Sequence, residues 1–569
     1  MKSPRGMTLI DVLVGTALML IIFLGLTTLL RTSLQIASIA KARSIATTIA
    51  SSQMEYIRSF PYDSVGTIAG IPSGVIPQNT TTTQNGIDFA VRTFIQYNDD
   101  PADGLGGLDS NGITIDYKII KVTVTYIAGG TSRAITMVSN YSPIGIETTN
   151  GGGTLRINVL NQAGVGVAGA SVRIVNTVTS PTVDLTTFSD STGIVFLPGA
   201  LPSSEYQVYV TKNGYSSAQT YTRDVTNQNP TPGYLTVVPN VTTTGTFAID
   251  VLSNLSIRTF SPIATSTWTD SFSDSSKIQS SSGTSVSLGE LVLAGAPGTY
   301  PSSGTARSVF LSPATLASWK NVYATSTTPA GTSVVFHVVD GAGIFLPDAV
   351  LPGNSSGFTA VADLSGVSTS TYPVLGLVAS LTTSDINVTP SLQEWSIWYT
   401  DGPTQLPNVN FTLLGGKTIG TTGTGALLYK TSIATSTDSG GVRNLALEWD
   451  SYQLGLSSFD TVEACNAPPY LLSPGGSLTS SLMLIAPTSN SVLISVRDTV
   501  SALPGASVTL SRTGYSKTVT TTACGSAYFG SLTSASDYSI SVSKSGYTTV
   551  NATGVSVSGH TFYAASIDI

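Results

Sequence analysis

Residues 1–31 read MKSPRGMTLIDVLVGTALMLIIFLGLTTLLR, and this stretch organises the rest of the chain. A short basic segment with Lys2 and Arg5 ends at Gly6, and the residues that follow Asp11 carry no charge as far as Leu30. At about 1.5 Å of rise per residue, a helix over 8–30 measures roughly 34 Å, enough to cross the apolar core of a bilayer. A carboxylate near the head of a spanning helix costs about 2.5–3.5 kcal/mol unless a cation pairs with it. The pattern therefore predicts a membrane helix in which Asp11 has a partner.

This start resembles the class III signal of type IV pilins and pseudopilins. The matching residues are Gly6 as the last leader residue, Met7 as the new N-terminus and Asp11 as the fifth residue after the cut. In the family, Phe is more common at the position of Met7, and Glu is more common at the position of Asp11. The resemblance implies that prepilin peptidase cleaves after Gly6 and that Met7 is then methylated.

Cleavage at this point would free a cationic α-amine at Met7. In a filament of packed helices, the amine of one subunit can pair with Asp11 of its neighbour and fix the axial register. The alternative is a plain single-pass anchor with a stray acid. A secretory signal peptide fits less well, because the apolar run exceeds the roughly 7–15 residues of such signals and no A-x-A site ends it.

The helix is expected to continue beyond the membrane, since residues 31–58 contain neither Pro nor Gly. Apolar residues recur there at steps of three and four, and Pro61 ends the pattern. The run AKARSIATTIASSQMEYIRSFPYDSVG resembles the junction of PilV-like minor pilins. Alternating segments over 87–97, 113–126 and 132–140 predict strands, so that a helix and a small antiparallel sheet form a pilin-like unit.

An acidic loop, NDDPADGLGGLD, lies between two of these strands. Its carboxylates could gather around Ca²⁺, because this cation prefers several oxygen ligands. The candidates are Asp99, Asp100, Asp103 and Asp109. The spacing is not that of an EF-hand, and a solvated acidic turn is the favoured interpretation.

After the linker TTNGGGT, an internal repeat appears. Residues 155–215 and 493–547 share the order strand, Gly or Pro turn, strand, Gly turn and Tyr-bearing strand, and 406–456 forms a looser copy. These segments resemble carboxypeptidase regulatory-like domains, which are small prealbumin-type β-sandwiches. The resemblance covers 151–247, 403–487 and 488–569, and no carboxypeptidase catalytic part accompanies it.

Residues 248–402 differ from these copies and predict another, larger β-sandwich of jelly-roll or lectin-like type. Its tryptophans, Trp268, Trp319, Trp395 and Trp398, are candidates for bulky core residues. By analogy of fold alone, this segment is also a candidate carbohydrate-binding module.

The bulk composition favours an exported structural protein over an enzyme. Only 10% of residues are charged, and the formal net charge of −7 argues against nucleic acid as the main partner. The two histidines, His337 and His560, have no Cys, Glu or second His at metal-ligand spacing. No P-loop is present and no G-x-G-x-x-G opens a predicted helix, so neither catalysis nor a cofactor beyond Ca²⁺ is expected.

Cys465 and Cys524 are the two cysteines of the chain. An exported protein meets oxidising conditions, and an even count permits a disulfide between two adjacent predicted sandwiches. Two separate buried thiols are the alternative.

The predicted organisation is a multidomain chain with a long N-terminal α-helix and a small antiparallel sheet, followed by a string of all-β sandwiches. Its segments are a leader (1–6), a transmembrane or filament helix (7–60), a pilin-like head (61–147) and the β-sandwiches 151–247, 248–402, 403–487 and 488–569. The expected function is a minor pilin of a type IV pilus or a subunit of a type II secretion pseudopilus, displayed for adhesion. Lys2 and Arg5 favour a cytoplasmic N-terminus with the rest exported.

The expected partners are prepilin peptidase, other pilin subunits with their assembly machinery, the cytoplasmic membrane and a surface glycan. The alternatives are a membrane-tethered surface protein that never assembles and a carbohydrate-binding module in 248–402.

Overall fold

The computed structural model describes residues 9–100, 115–144, 151–499 and 501–568. One long helix, α1 (Leu9–Arg58), opens the described chain, and β-strands form almost all the regular structure that follows. The prediction of one long N-terminal helix followed by a series of β-sandwiches is confirmed.

The head domain combines the second half of α1 with a four-stranded antiparallel sheet in the order β1-β2-β3-β4. Its strands are β1 (Asn79–Gln84), β2 (Ile87–Asn98), β3 (Tyr117–Ala128) and β4 (Thr131–Tyr141). Pro61 follows the helix and is succeeded by a short 3-10 turn, Tyr62–Ser64. Side chains along β3 alternate between buried and less buried, so one face of the sheet covers the helix.

The first sandwich spans 153–249. Its strands are β5 (Gly153–Leu160), β6 (Ser171–Asn176), β7 (Val183–Phe188), β8 (Ile194–Ala200), β9 (Ser203–Thr211), β10 (Ala218–Gln219), β11 (Asn229–Pro230), β12 (Leu235–Val237) and β13 (Thr242–Ala248). One sheet has the order β13-β5-β8, and the facing sheet has the order β10-β9-β6-β7 with β12 also on β9.

A second sandwich begins with β14 (Ser253–Ser261) but is then interrupted by a separate body, the inserted domain, over 262–403. The inserted domain contains β15 (Ala264–Asp270), β16 (Ile278–Ser282), β17 (Thr284–Ser287), β18 (Glu290–Leu293), β19 (Ser303–Ser308), β20 (Leu316–Thr327), β21 (Thr332–Asp340), β22 (Val361–Asp363), β23 (Leu375–Thr383) and β24 (Ser391–Asp401). A six-stranded sheet, β17-β18-β24-β20-β22 with β15 on β24, faces a four-stranded sheet, β16-β19-β23-β21. Trp319 and Trp395 lie in the core between them.

The second sandwich resumes after the inserted domain. Its remaining strands are β25 (Thr404–Gln405), β26 (Asn410–Gly415), β27 (Thr418–Thr421), β28 (Leu427–Tyr429), β29 (Ser432–Ser436), β30 (Val442–Leu447), β31 (Ser451–Gly455), β32 (Asp460–Cys465), β33 (Tyr470–Leu471) and β34 (Ser477–Ile485). One sheet has the order β25-β14-β34-β32 with β30 also on β14, and the facing sheet has the order β29-β26-β31-β33.

The third sandwich spans 491–567. Its strands are β35 (Ser491–Arg497), β36 (Ser507–Arg512), β37 (Tyr515–Thr520), β38 (Ser526–Phe529), β39 (Ala535–Ser543), β40 (Val550–Val557) and β41 (His560–Ser566). Its sheets have the orders β38-β35-β41 and β37-β36-β39-β40.

The predicted start of the larger segment at 248 is wrong, because β14 belongs with the sandwich that follows the inserted domain. It pairs with β30 and β34 from far downstream, and Leu255 and Ile257 are buried in the second sandwich's core. The inserted domain therefore occupies the connection between the first and second strands of that sandwich.

The three sandwiches share one contact of a buried side-chain hydroxyl with the backbone. Ser189, Thr437 and Thr521 each precede the turn that leads to β8, β30 and β38, respectively. Their Oγ atoms accept hydrogen bonds from the backbone N–H groups of Ala170, Val409 and Ala506, at 2.9, 2.9 and 2.8 Å. The copies detected in the sequence thus have this backbone-to-hydroxyl contact in common.

Neighbouring bodies contact each other along the chain. Ile71 of the head domain is buried in the first sandwich's core, and the N–H of Asp184 donates to the Ala69 carbonyl at 2.8 Å. The first and second sandwiches share a small sheet, β11-β27-β28. There the Lys430 Nζ lies 2.8 Å from Glu448 and donates to the Ser217 carbonyl at 2.7 Å.

Candidate functional site

The first half of α1 is the most unusual surface of the described protein. Its large apolar side chains are between 51% and 83% exposed and surround the helix on all sides. They are Leu9, Leu13, Val14, Leu18, Met19, Leu20, Ile21, Ile22, Phe23, Leu24, Leu26, Leu29, Leu30, Leu34 and Ile36. Such a surface is stable only in lipid or against other apolar helices.

By length and composition, α1 is able to cross a membrane. The part that meets both criteria lies within Leu13–Arg58. Its threonine hydroxyls suit that environment, because each bonds within the helix. Thr16 donates to the Leu13 carbonyl at 3.0 Å, Thr28 to the Leu24 carbonyl at 2.8 Å, and Thr32 to the Thr28 carbonyl at 2.9 Å. No hydroxyl in this set needs water.

The second half of α1 packs against the sheet of the head domain. Ala42, Ala46 and Ala50 are fully buried, and Met54 and Ile57 continue the same face. The small alanines let the helix approach the sheet closely, where Phe89, Ile120, Val122 and Val124 cover it. The apolar face predicted for this half of the helix is therefore its contact with the sheet.

The end of α1 is fixed by polar contacts that sequence reasoning missed. Lys118 is only 1% exposed, its Nζ donates to the Tyr62 carbonyl at 2.7 Å, and it lies 4.2 Å from the Tyr62 ring centroid. Arg58 donates to Ser139 at 2.8 Å and pairs with Glu55 at 3.0 Å. A lysine at an inward position of a strand was the available signal for the first contact.

The predicted processing residues, Gly6 and Met7, lie outside the described residues. Asp11 is part of α1, but its side chain lies outside the described part. The proposed pairing of Asp11 thus stays a prediction.

Of the four Ca²⁺ candidates, Asp103 and Asp109 also lie outside the described residues. Asp99 is buried, and the N–H of Asp100 donates to Asp116 Oδ2 at 2.5 Å. Among the residues that the structure describes, no group of three or more His, Cys, Asp or Glu side chains could hold a metal ion. The Ca²⁺ site stays a prediction.

Cys465 and Cys524 are joined in a disulfide, with their Cα atoms 4.8 Å apart. The bond links the end of β32 in the second sandwich to the turn before β38 in the third. Leu493 of the third sandwich also enters the second sandwich's core, so the two bodies share a continuous apolar contact.

A buried polar cluster lies at this same junction. Asp460 Oδ2 accepts from the Tyr528 hydroxyl at 2.7 Å and from the N–H and hydroxyl of Thr488 at 3.0 and 2.8 Å. Burial opposes ionisation of Asp460, but these hydrogen bonds outweigh it and lower its pKa. Burial, together with the hydrogen bond to Asp460, raises the pKa of Tyr528 to about 12, so this phenol remains a donor.

His560 completes the cluster, but the arrangement is not that of a catalytic triad. The Thr461 N–H donates to His560 Nε2 at 3.0 Å, while Ser491 Oγ and Asp460 Oδ1 both lie beside Nδ1, at 2.7 and 3.5 Å. A triad needs the serine and the carboxylate on opposite ring nitrogens. Burial lowers the pKa of His560 despite Asp460, so the neutral ring is favoured and joins two domains.

The other histidine, His337, is a structural residue. Its Nδ1 lies 2.6 Å from the Asn354 carbonyl, and its ring stacks on Phe345 with centroids 4.7 Å apart. These partners hold it within the inserted domain.

The prediction of a core position is correct for Trp319 and Trp395, but it is wrong for Trp398. Trp398 is 41% exposed, because it follows the buried Ile397 on β24 and so points to the opposite face of the sheet. Beside it, Tyr323 is 44% exposed, and the two ring centroids are 5.9 Å apart.

No known protein-family profile matches this sequence, and no curated protein matches it. Solved structures give weak matches. The Bacillus anthracis TIE protein is 12% identical with a TM-score of 0.16, covering 86% of this chain and 73% of that one. BcpA, the major pilin subunit of Bacillus cereus, is 9% identical with a TM-score of 0.14, and the match covers 73% of this chain and 99% of BcpA. The full-length major pilin SpaD of Corynebacterium diphtheriae is 10% identical with a TM-score of 0.12, and the match covers 74% of this chain and 98% of SpaD. At these TM-scores no functional conclusion for this chain follows.

Proposed function

We propose that this chain is a minor pilin or pilin-like structural subunit, held by its N-terminal helix in the cytoplasmic membrane and in a type IV pilus or type II secretion pseudopilus. The observation that supports this function is the division of α1 into an exposed apolar half and a half seated on an antiparallel sheet. The exposed half suits both lipid and a bundle of like helices, while the seated half carries the domains outside.

Assembly requires that prepilin peptidase cleaves after Gly6 and that the new amine of Met7 meets Asp11 of a neighbouring subunit. Mass spectrometry of the intact protein extracted from membranes tests the first step. A chain that begins at a methylated Met7 supports the proposal, and a chain that retains residues 1–6 contradicts it.

Substitution of Asp11 tests the second step. We expect Asp11→Ala to abolish incorporation into filaments and Asp11→Glu to preserve it, because only the latter keeps a negative charge. Asp63→Ala is the matched control, since Asp63 is an exposed carboxylate outside the spanning segment. If Asp11→Ala assembles normally, the chain is a tethered surface protein instead.

The four bodies beyond the head domain are too bulky to occupy every position of a helical filament. The subunit therefore sits at the tip or occurs rarely along the shaft. Gold labelling of the third sandwich checks this placement, and even labelling along filaments contradicts it.

A second candidate function, binding of a surface glycan, is supported by the adjacent exposed rings of Trp398 and Tyr323 on the inserted domain. Aromatic faces stack on sugar rings, and Thr267 and Asn321 occupy positions opposite Trp398 on the flanking strands. A glycan array probed with the full chain and with Trp398→Ala tests it. Equal signals from the two proteins, or no signal from either, exclude this surface as a glycan site.

A further inference from the structure

In all three sandwiches, the first and last strands are hydrogen-bonded neighbours that run parallel. The pairs are β5 with β13, β14 with β34, and β35 with β41. Each ladder has seven residue pairs, from Thr242↔Thr154 to Ala248↔Leu160 in the first sandwich and from Ser491↔His560 to Arg497↔Ser566 in the third. The chain therefore enters each sandwich at one end of a ladder and leaves it at the opposite end.

The three ladders are connected in series by short segments. β13 ends at Ala248 and β14 begins at Ser253, while β34 ends at Ile485 and β35 begins at Ser491. The first connection is held by backbone bonds, since the Leu252 N–H donates to the Gly214 carbonyl at 3.0 Å and the Gly475 N–H to the Val251 carbonyl at 3.2 Å. Tension along the chain thus passes from one ladder to the next with little slack.

The direction of the strands determines how such tension acts. When two parallel neighbours are pulled from opposite ends, they slide past each other, and all the hydrogen bonds between them carry the load together. When two antiparallel neighbours are pulled from adjacent ends, the bonds open one pair at a time. A ladder loaded in the first way resists a far larger force, although the free energy of unfolding is the same.

We propose that the three sandwiches are a series of shear-loaded clamps that transmit tension between the head domain and the third sandwich. This mechanical function rests on strand order alone and does not depend on the proposed filament. A chain that never assembles would still carry the same clamps.

The inserted domain lies outside this path of force. Its chain leaves the second sandwich after Ser261 and returns at Thr404, and these two residues are directly paired. Because both of its ends attach at the same point, tension across the β14–β34 ladder does not reach it while that ladder is intact. The inserted domain is therefore a side arm that stays folded under load.

Single-molecule pulling of the full chain in detergent tests the clamp. Handles are attached through unnatural amino acids at exposed positions that flank strands of the third sandwich, with the disulfide intact. The shear geometry uses Ser489 and Asp568, and the matched unzipping geometry uses Ser534 and Ser558, which flank the paired ends of β39 and β40. We expect a several-fold higher rupture force in shear. Equal forces in the two geometries would overturn the proposal.

A second pair of handles, at Gly152 and Ser489, tests the side arm. The inserted domain holds on the order of 500 Å of extensible chain at about 3.6 Å per residue. We expect this length to appear only with or after rupture of the second sandwich. Its release as the first event, with the sandwiches still folded, would contradict the assignment.

Discussion

The first and second sandwiches share their central strand pairings, β13-β5-β8 in one and β34-β14-β30 in the other, yet one is continuous and the other is split by a complete domain. In the first, a short turn after β5 leads to β6; in the second, the inserted domain takes the place of that turn. The buried hydroxyl contact is nevertheless the same, with Ser189 and Thr437 each accepting from a backbone N–H at 2.9 Å. The fold of the sandwich is thus set by its ladders and not by the continuity of its first connection.

The two sandwiches differ more in how their outer neighbours hold them. The first contacts the head domain through Ile71 and backbone bonds, with no covalent cross-link among the described residues. The second is bound to the third by a disulfide and by the buried cluster around Asp460. The C-terminal pair of sandwiches should therefore be held together more firmly than the first and second sandwiches, which meet through the shared sheet β11-β27-β28 and the Lys430 contact.

The largest expected effect comes from removing the disulfide. Replacing Cys465 and Cys524 together by Ser should lower the free energy of unfolding of the C-terminal pair by about 4 kcal/mol, because the bond closes a loop with a sequence separation of 59. Denaturant titration checks this, with the first sandwich as the internal control. A loss of similar size in the first sandwich would show that the two units are not independent.

A medium effect is expected from the shared hydroxyl. Thr437→Val and Ser189→Ala should each destabilise their own sandwich by about 1–3 kcal/mol, because a buried backbone N–H loses its acceptor. Thr325→Val, at an exposed position of the inserted domain, is the control. Free energies of unfolding that differ greatly between the two sandwiches would mean that the interruption weakens the second one.

Acid should weaken the C-terminal pair more than the first sandwich. The pKa of His560 is lowered from its ordinary 6.5, so the unfolded chain binds that proton more readily. The stabilisation is complete above pH 6.5 and decreases as the pH falls below it. Asp460, with its pKa lowered from 3.8, adds a second loss below pH 3.8.

Denaturation between pH 7 and pH 5 measures the histidine effect, with His560→Gln as the comparison. This variant should remove most of the pH dependence of the C-terminal pair in that range. An unchanged pH dependence would assign the effect to other groups.

The smallest effect is expected from excising the inserted domain. Replacing residues 262–403 by a short Gly-Asn turn should change the stability of the second sandwich by less than about 1 kcal/mol, because Ser261 and Thr404 are already paired. Denaturant titration of the excised protein measures this change, and intact mass with and without reductant checks that Cys465 and Cys524 still join. Free thiols in the excised protein would show that the inserted domain is needed for folding.

Much of this architecture was predictable from local sequence patterns. The absence of Pro and Gly over 31–58 and the alternation along the strands are local signals that predicted the helix and the strands, and the internal repeat with its family resemblance predicted the sandwiches. The assignment of β14 to the larger segment 248–402 failed because the partners of this strand lie far downstream. One signal was available, since the looser copy at 406–456 had no opening strand of its own, whereas Leu255 and Ile257 repeat the spacing of Leu155 and Ile157.

The polar junction could not be predicted from local patterns. Asp460 and His560 are far apart in sequence, and neither belongs to a motif. Only the packing of two sandwiches brings them within 3.5 Å. The core prediction for Trp398 failed for a different reason. Tryptophan is most often buried, but the face of the sheet to which a side chain points depends on the register of the neighbouring strands.

Because β14 pairs with β25, the protein has a position at which one inserted domain can be exchanged for another. Any domain whose termini lie one strand spacing apart can be grafted between Ser261 and Thr404 without altering the ladders on either side. Exchange at this position replaces the inserted domain and leaves the β14–β34 ladder unchanged. The same position makes the second sandwich a scaffold that can present a foreign domain beside its own strands.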